Sequence, residues 1–126
     1  MKMIWAVIRS SKIDAVASRL SSIGVNGFTV SSVRGCGEEW HVYQPLIHGG
    51  HHKLEVILED DQGDSVMNEI VEHAYTGVDG DGIVSIFDLG AVVTIRLKDV
   101  TRSLAIKKAS ELARAQDSAF ETKTIE

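Results

Sequence analysis

The sequence has little of what marks secreted, membrane-spanning or disordered proteins. Its one cysteine, Cys36, cannot form a disulfide within the chain, which favours a reducing compartment. It has one proline, and its longest apolar runs, 4–8 and 91–93, fall far short of the ~20 residues that a membrane-spanning helix needs. No apolar signal stretch precedes the first predicted strand. We therefore expect a cytoplasmic protein that does not insert directly into a membrane.

The charge balance is acidic and uneven along the chain. The 126 residues carry 13 basic and 18 acidic side chains, a formal net charge of −5, which disfavours a protein that binds nucleic acid through many phosphates. Residues 1–100 contain 8 basic and 14 acidic side chains, whereas residues 101–126 contain 5 and 4. The length fits one core. We predict a main domain over residues 1–100 and a C-terminal helical extension over 101–126.

Hydrophobic periodicity predicts alternating strands and helices. The apolar stretch 3–9 is typical of a buried strand, and Ile13, Val16, Leu20 and Ile23 follow with helical spacing. Ser11 with Asp14 resembles a capping box at the start of this first helix. Asp60 or Asp61 is a candidate cap for a second helix. Gly24 and Gly77 are predicted to end the two helices. The predicted strands are 3–9, 25–34, 53–59, 83–87 and 91–97, and a last helix is predicted over 102–115.

This order predicts an α+β fold of the ferredoxin-like type. Its main unit is a βαββαβ sandwich with both helices on one face of an antiparallel sheet, followed by an added strand and a C-terminal helix. The strands 3–9 and 91–97 are too apolar to face water on the other side. We therefore expect partner subunits to cover that face.

Two separated motifs in this topology resemble the PII signal-transduction superfamily. They are IGVNGFTVSSVRGCG at 23–37 and TGVDGDG at 76–82, and the resemblance extends over residues 1–98. It implies a homotrimer that binds adenine nucleotides in clefts between subunits and docks on a target protein through a loop. Glycines 77, 80 and 82 also allow a backbone nest suited to phosphate, although a glycine-rich turn without a ligand would have the same spacing.

The resemblance assigns a set of nucleotide-binding residues by position. It implies contacts with the adenine side from Val7, Thr29, Glu55 and Ile57. It implies contacts with the phosphates from Gly35, Gly37, Gly80, Asp81, Gly82 and Arg96.

The chain departs from the superfamily where cations are usual. Ile83 replaces a lysine, Thr94 replaces a second arginine, and Glu38 and Glu39 follow the first glycine motif. These replacements remove attraction to a polyphosphate and add repulsion. We therefore expect ADP or AMP to bind in preference to ATP. The superfamily's 2-oxoglutarate site is also disfavoured, because Glu39 stands where the superfamily has an amide and His51 where it has a lysine.

The long segment from Gly35 to Gly50 offers an alternative function. His41, His48, His51 and His52 lie in it or just after it, and imidazole nitrogens suit a transition metal such as zinc, copper, nickel or cobalt. The spacing matches no strong metal motif, so these side chains could equally hydrogen-bond within a polar loop. A metal-binding protein of the same superfamily is therefore the alternative hypothesis.

The same segment is predicted to carry the output of a regulator. Trp40, Tyr43 and Leu46 are candidate anchors for a target such as a transporter, an enzyme or a regulator, or they fold back on the trimer. Cys36 is either a reactive thiol or a small buried side chain. No spacing suggests a catalytic constellation, so we predict a regulatory protein that is not an enzyme, with the 36–52 loop as its output element.

Overall fold

A computed structural model of the protein describes residues 1–35 and 50–102. The chain divides into two compact units: Lys2–Phe87, and Met1 together with residues 88–126. The C-terminal extension over residues 101–126 was predicted from a change in charge composition after residue 100, which is a different boundary. It stays a prediction, because residues 103–126 lie outside the described part of the chain.

The first unit is built on a four-stranded sheet. Its strands are β1 (Lys2–Arg9), β2 (Thr29–Val33), β3 (His51–Leu58) and β4 (Gly82–Asp88), in the spatial order β2-β3-β1-β4. Strand β3 is antiparallel to both of its neighbours, with Ile4 opposite Val56 and Val30 opposite Leu54. With helices after β1 and β3, this confirms the predicted ferredoxin-like α+β fold.

Two helices cover one face of this sheet. Helix α1 spans Ile13–Ser22 and helix α2 spans Gly63–Ala74. Both contribute to a single buried cluster with alternate residues of β1 and β3, and burying each aliphatic side chain stabilises the fold by about 1.5–3 kcal/mol. The fully buried side chains of this cluster include Ile4, Ile8, Val16, Leu20, Leu54, Val56 and Ile70.

The predicted inner face of α1 is confirmed for Ile13, Val16 and Leu20, but Ile23 is 37% exposed after the helix ends, and the predicted N-terminal caps are wrong. A 3₁₀ turn, Ser10–Lys12, precedes α1, and no side chain caps that helix, so Ser11 and Asp14 form no capping box. Before α2 the capping box consists of Glu59 and Gln62 rather than Asp60 or Asp61. The Gln62 side chain accepts a hydrogen bond of 3.3 Å from the Glu59 N–H.

The predicted C-terminal glycine is confirmed for α1 only, because α2 ends at Ala74 with Tyr75 extended and Gly77 does not cap it. Gly24 has a φ of 91°, and the next residue, Val25, donates its N–H to the carbonyl of Leu20 at 2.9 Å. This bond is characteristic of a helix that ends in a left-handed glycine. Strand β2 begins only at Thr29, so the predicted strand 25–34 is too long at both ends.

The second unit contains an antiparallel hairpin. Strands β5 (Ala91–Thr94) and β6 (Asp99–Arg102) pair with Val93 opposite Val100. The predicted strand 91–97 is therefore wrong beyond Thr94, because the chain turns at 95–98, where Lys98 has a φ of 55°. Arg102 lies in β6, so the helix predicted over 102–115 does not begin there, and its remaining residues lie outside the described ranges.

Neither helix within residues 1–35 and 50–102 is long and apolar enough to cross a membrane.

Candidate functional site

The sheet face opposite the helices carries the residues expected to contact adenine. Even-numbered residues of β1 and β3 enter the core, so the odd-numbered ones project from the other face. Val7 is paired with Lys53, and Thr29 is paired with Glu55, across neighbouring strands. Ile57 follows Glu55 on the same side of β3 and is 46% exposed. The structure thus brings Val7, Thr29, Glu55 and Ile57 onto one face.

This face offers both polar and apolar contacts. The Lys53 ammonium lies 3.4 Å from the Glu55 carboxylate, and both side chains are only partly exposed. The Thr29 hydroxyl belongs to the residue directly opposite Glu55. A carboxylate, a hydroxyl and an ammonium beside aliphatic side chains suit a flat ligand with hydrogen-bonding edges. Lys53 was not among the predicted site residues, although the two-residue period of β3 places it on the same face as Glu55.

The second glycine motif forms a turn that Asp81 holds together. The Asp81 carboxylate accepts hydrogen bonds from the backbone N–H of Thr76 at 2.8 Å and of Gly77 at 2.9 Å. It also accepts one from the Thr76 hydroxyl, which in turn accepts the N–H of Val78 at 3.1 Å. The side chain of Asp81 is therefore committed to the turn, and only its backbone N–H could serve a phosphate.

Arg9 pairs with this carboxylate from the sheet. Arg9 is 7% exposed, and its Nε lies 3.0 Å from Asp81 Oδ1. Burial by itself raises the pKa of Asp81, but the hydrogen bonds from Thr76, Arg9 and Gly77 outweigh it. The pKa of Asp81 therefore lies well below its usual value, and the carboxylate is ionised at neutral pH.

The turn meets the sheet at Gly82. Gly82 has a φ of 99°, and a Cβ atom there would lie 1.8 Å from the carbonyl oxygen of Val7. Only glycine tolerates this conformation and this approach. The phosphate-side turn and the adenine-side strand β1 are therefore in direct backbone contact, at two residues that the resemblance assigned to one ligand.

The other residues predicted to contact phosphate differ in burial and in the unit to which they belong. Gly35 follows β2 and is half-buried, and Gly37 lies outside the described residues. Arg96 is exposed in the turn between β5 and β6 and belongs to the second unit. Gly80 is buried and adopts a φ of 100° within the turn.

The structure does not support the metal hypothesis. His51 and His52 are consecutive on β3 and project from opposite faces. The ring of His52 contacts two hydroxyls, with Nδ1 2.6 Å from Ser10 Oγ and Nε2 3.2 Å from Ser32 Oγ. His51 Nε2 donates to the carbonyl of Gly80 at 2.7 Å. Over residues 1–35 and 50–102, no three histidine, cysteine or acidic side chains converge on a metal site, and His41 and His48 lie outside those ranges.

A small apolar cleft of about 190 Å³ lies beside the turn, on the side of helix α2. Its walls include Ile8 and Val84 from the sheet and Tyr75 from the end of α2, together with Val71, Ala74, Asp81, Gly82 and Ile83. This volume is below the range of pockets that enclose drug-sized ligands. The cleft does not include the adenine-side residues.

These features define a class of protein: a ferredoxin-like domain with a glycine turn against the open face of its sheet. The model of the P-II family, described as nitrogen regulatory protein P-II, matches residues 1–99. A nitrogen regulatory protein P-II from Pasteurella multocida is 36% identical over 104 residues, which cover 76% of this chain and 92% of that protein. Nitrogen regulatory protein P-II 1 and nitrogen regulatory protein GlnK of Escherichia coli are 34% and 35% identical, with the same coverage.

The chain belongs to the P-II family of regulatory signal-transduction proteins. The resemblance seen in the two glycine motifs is thereby confirmed.

Proposed function

We propose that the protein is a regulator that senses an adenine nucleotide in clefts between the subunits of a homotrimer. The observation that carries the proposal is the backbone contact between Gly82 and Val7. It joins the turn suited to phosphate to the face that carries Thr29, Glu55 and Ile57. Regulation of the target then passes through the predicted 36–52 loop, although its last two residues, His51 and His52, belong to β3 beside this site and residues 36–49 lie outside the described ranges.

The exposed residues of the open face support a trimer. Ile57 on β3 and Phe87 on β4 are 46% and 42% exposed, and Trp5 lies between their strands on β1. Apolar side chains grouped on one sheet face are typical of a surface that another subunit covers. Three sheets facing inward would bury this face and would bring one subunit's turn next to another subunit.

The charges around the turn support a preference for fewer phosphates. Ile83 is 55% exposed where the family usually has lysine, and the Asp81 carboxylate lies within the turn. The turn therefore offers mainly backbone N–H groups, which attract an anion less strongly than side-chain cations do. ADP or AMP is the proposed ligand, and each further phosphate adds charge that the site does not neutralise.

Calorimetric titration with AMP, ADP and ATP tests this function. We expect saturable binding of ADP or AMP with one site per chain, and weaker binding of ATP. A protein that releases or absorbs no heat with any of the three nucleotides, and that gains no thermal stability from them, would contradict the proposal.

A further inference from the structure

Two neighbouring side chains of the sheet hold the glycine turn by its carbonyl groups. Arg9 ends β1 and His51 begins β3, and the two residues are direct partners in the antiparallel register. They therefore project from the same face of the sheet, toward the turn. Arg9 Nη2 donates to the carbonyls of Val78 at 3.1 Å and Asp79 at 2.5 Å. His51 Nε2 donates to the carbonyl of Gly80 at 2.7 Å.

Three consecutive carbonyls of the turn are thus engaged from one side. In a trans peptide the N–H lies on the side opposite the C=O, and the chain contains no cis peptide in the described ranges. The carbonyls of residues 78, 79 and 80 face Arg9 and His51. The N–H groups of Asp79, Gly80 and Asp81 must therefore point away from those two side chains.

The tautomer of His51 follows from its partner. A carbonyl oxygen accepts hydrogen bonds but cannot donate one, so Nε2 of His51 carries the proton in this contact. His51 therefore acts on the turn as a donor, the same role that Arg9 has on the two preceding carbonyls. Arg9 and His51 therefore fix the backbone of the turn through its carbonyls, and neither side chain lies on the side of the turn where its N–H groups point.

We propose that Arg9 and His51 are positioning residues that orient the N–H groups of residues 79–81 toward the phosphates of the bound nucleotide. The inference rests on the proposed function. It assigns the role to two side chains that would not touch the nucleotide. It also gives His51 a role other than metal binding. The hydrogen bond from His51 to the carbonyl of Gly80 links the turn to the first residue of β3.

Burial and the Asp81 carboxylate fix the position of the Arg9 side chain. Arg9 is buried, and its Nε is held by the Asp81 carboxylate, so its fork cannot swing away from the turn. Lysine has a single ammonium and lacks the planar fork that reaches a carboxylate and two carbonyls together. The Arg9→Lys variant is therefore expected to keep the charge and lose part of the orientation.

Paired titrations with ADP and adenosine separate orientation of the turn from general folding. Adenosine shares the base but has no phosphate, so its binding does not depend on the N–H groups of the turn. We expect His51→Leu to weaken ADP binding roughly tenfold, the effect of about one hydrogen bond, and to change adenosine binding less than about twofold. His51→Gln should restore ADP binding, because the glutamine amide can donate to the carbonyl of Gly80.

Arg9→Lys and Arg9→Met extend the test, with Arg19→Met as the matched control. Arg19 also pairs with a carboxylate, Glu69, but this pair joins the two helices on the exposed side of the domain. We expect ADP affinity to fall in the order wild type, Arg9→Lys, Arg9→Met, and to stay unchanged in Arg19→Met. If Arg9→Met does not fold, as judged by circular dichroism, the two His51 variants decide.

The outcomes distinguish this inference from the function on which it rests. Wild-type protein that binds neither ADP nor adenosine overturns both. Wild-type protein that binds ADP, with His51→Leu binding it equally well, overturns only the positioning role. A parallel loss of ADP and adenosine binding in His51→Leu, or a failure of His51→Gln to restore ADP binding, also overturns it, because the effect would then be general.

Discussion

The carbonyl oxygen of Val7 occupies almost the position that a side chain at Gly82 would need, since it lies 1.8 Å from the Cβ built there. Gly82 also has a φ of 99°, which L-residues rarely adopt. The turn can lie against β1 only because residue 82 has no side chain. This one contact decides both the packing of β4 and the geometry of the candidate site.

Replacement of Gly82 by alanine is expected to destabilise the protein by more than about 2 kcal/mol, from the strained φ and the backbone collision together. Urea unfolding followed by circular dichroism measures this free energy. Gly27→Ala is the matched control, because nothing lies within 4 Å of a Cβ there and its φ is not positive. Equal midpoints for the two variants would contradict the close packing of the turn on β1.

Asp81 is expected to make stability depend on acidity. Its pKa is lower in the folded protein than in the unfolded chain, so the unfolded state binds more protons as the pH falls through the unfolded pKa of about 3.9. The stabilisation is therefore present above that pH and decreases on acidification toward the folded pKa. Urea midpoints between pH 5 and pH 2.5 should fall steeply in the wild type and less steeply in Asp81→Asn.

The exposed Arg19–Glu69 pair provides the comparison for Asp81. A side-chain hydrogen bond from Arg19 lowers the pKa of Glu69 as well, but solvent screens this pair. Glu69→Gln should change the acid dependence much less than Asp81→Asn does. The reverse order would contradict the account of Asp81 as the carboxylate that holds the turn.

Helix α2 contains a buried and an exposed aliphatic residue side by side. Ile70 is fully buried in the core, whereas Val71 is 46% exposed. Ile70→Ala should lower the free energy of unfolding by about 2–5 kcal/mol. Val71→Ala should lower it by less than about 0.5 kcal/mol. Similar unfolding midpoints for the two variants would contradict the orientation of α2 on the sheet.

The core and the order of elements could be predicted from the sequence because their signals are local. The spacing of Val16 and Leu20 on α1 is a helical period, and both side chains are buried. The end of β5 could not be predicted from hydrophobicity, because Ile95 and Leu97 continue the apolar pattern through a turn where Lys98 adopts a positive φ. Hydrophobicity alone does not mark such a turn.

The contacts that organise the site could not be predicted, because they join residues far apart in the chain. Arg9 and Asp81 are separated by 72 positions, and nothing near Arg9 indicates a carboxylate partner. The motif predicted that Gly80, Asp81 and Gly82 share one turn. Only the packing of that turn on β1 and β3 shows that the Asp81 side chain serves the fold, and that His51 donates to Gly80.

The open face of the sheet should be covered in solution by two further copies of the chain. Light scattering at micromolar concentration should give three times the 13.7 kDa of one chain. Ile57→Glu should dissociate the assembly, because it places a charge on that face. Val71→Glu, at a residue that is equally exposed but lies on helix α2, should leave it intact. A stable wild-type monomer would contradict the trimer.

Hydrogen exchange with and without saturating ADP tests the location of the nucleotide most directly. The account predicts slower exchange in peptides covering residues 76–83, because the N–H groups of the turn would then donate to phosphate. Peptides covering α1, residues 13–22, should exchange at the same rate in both states. Saturation with ADP that leaves residues 76–83 unchanged, and protects another part of the chain, would contradict the assignment of this turn as the phosphate site.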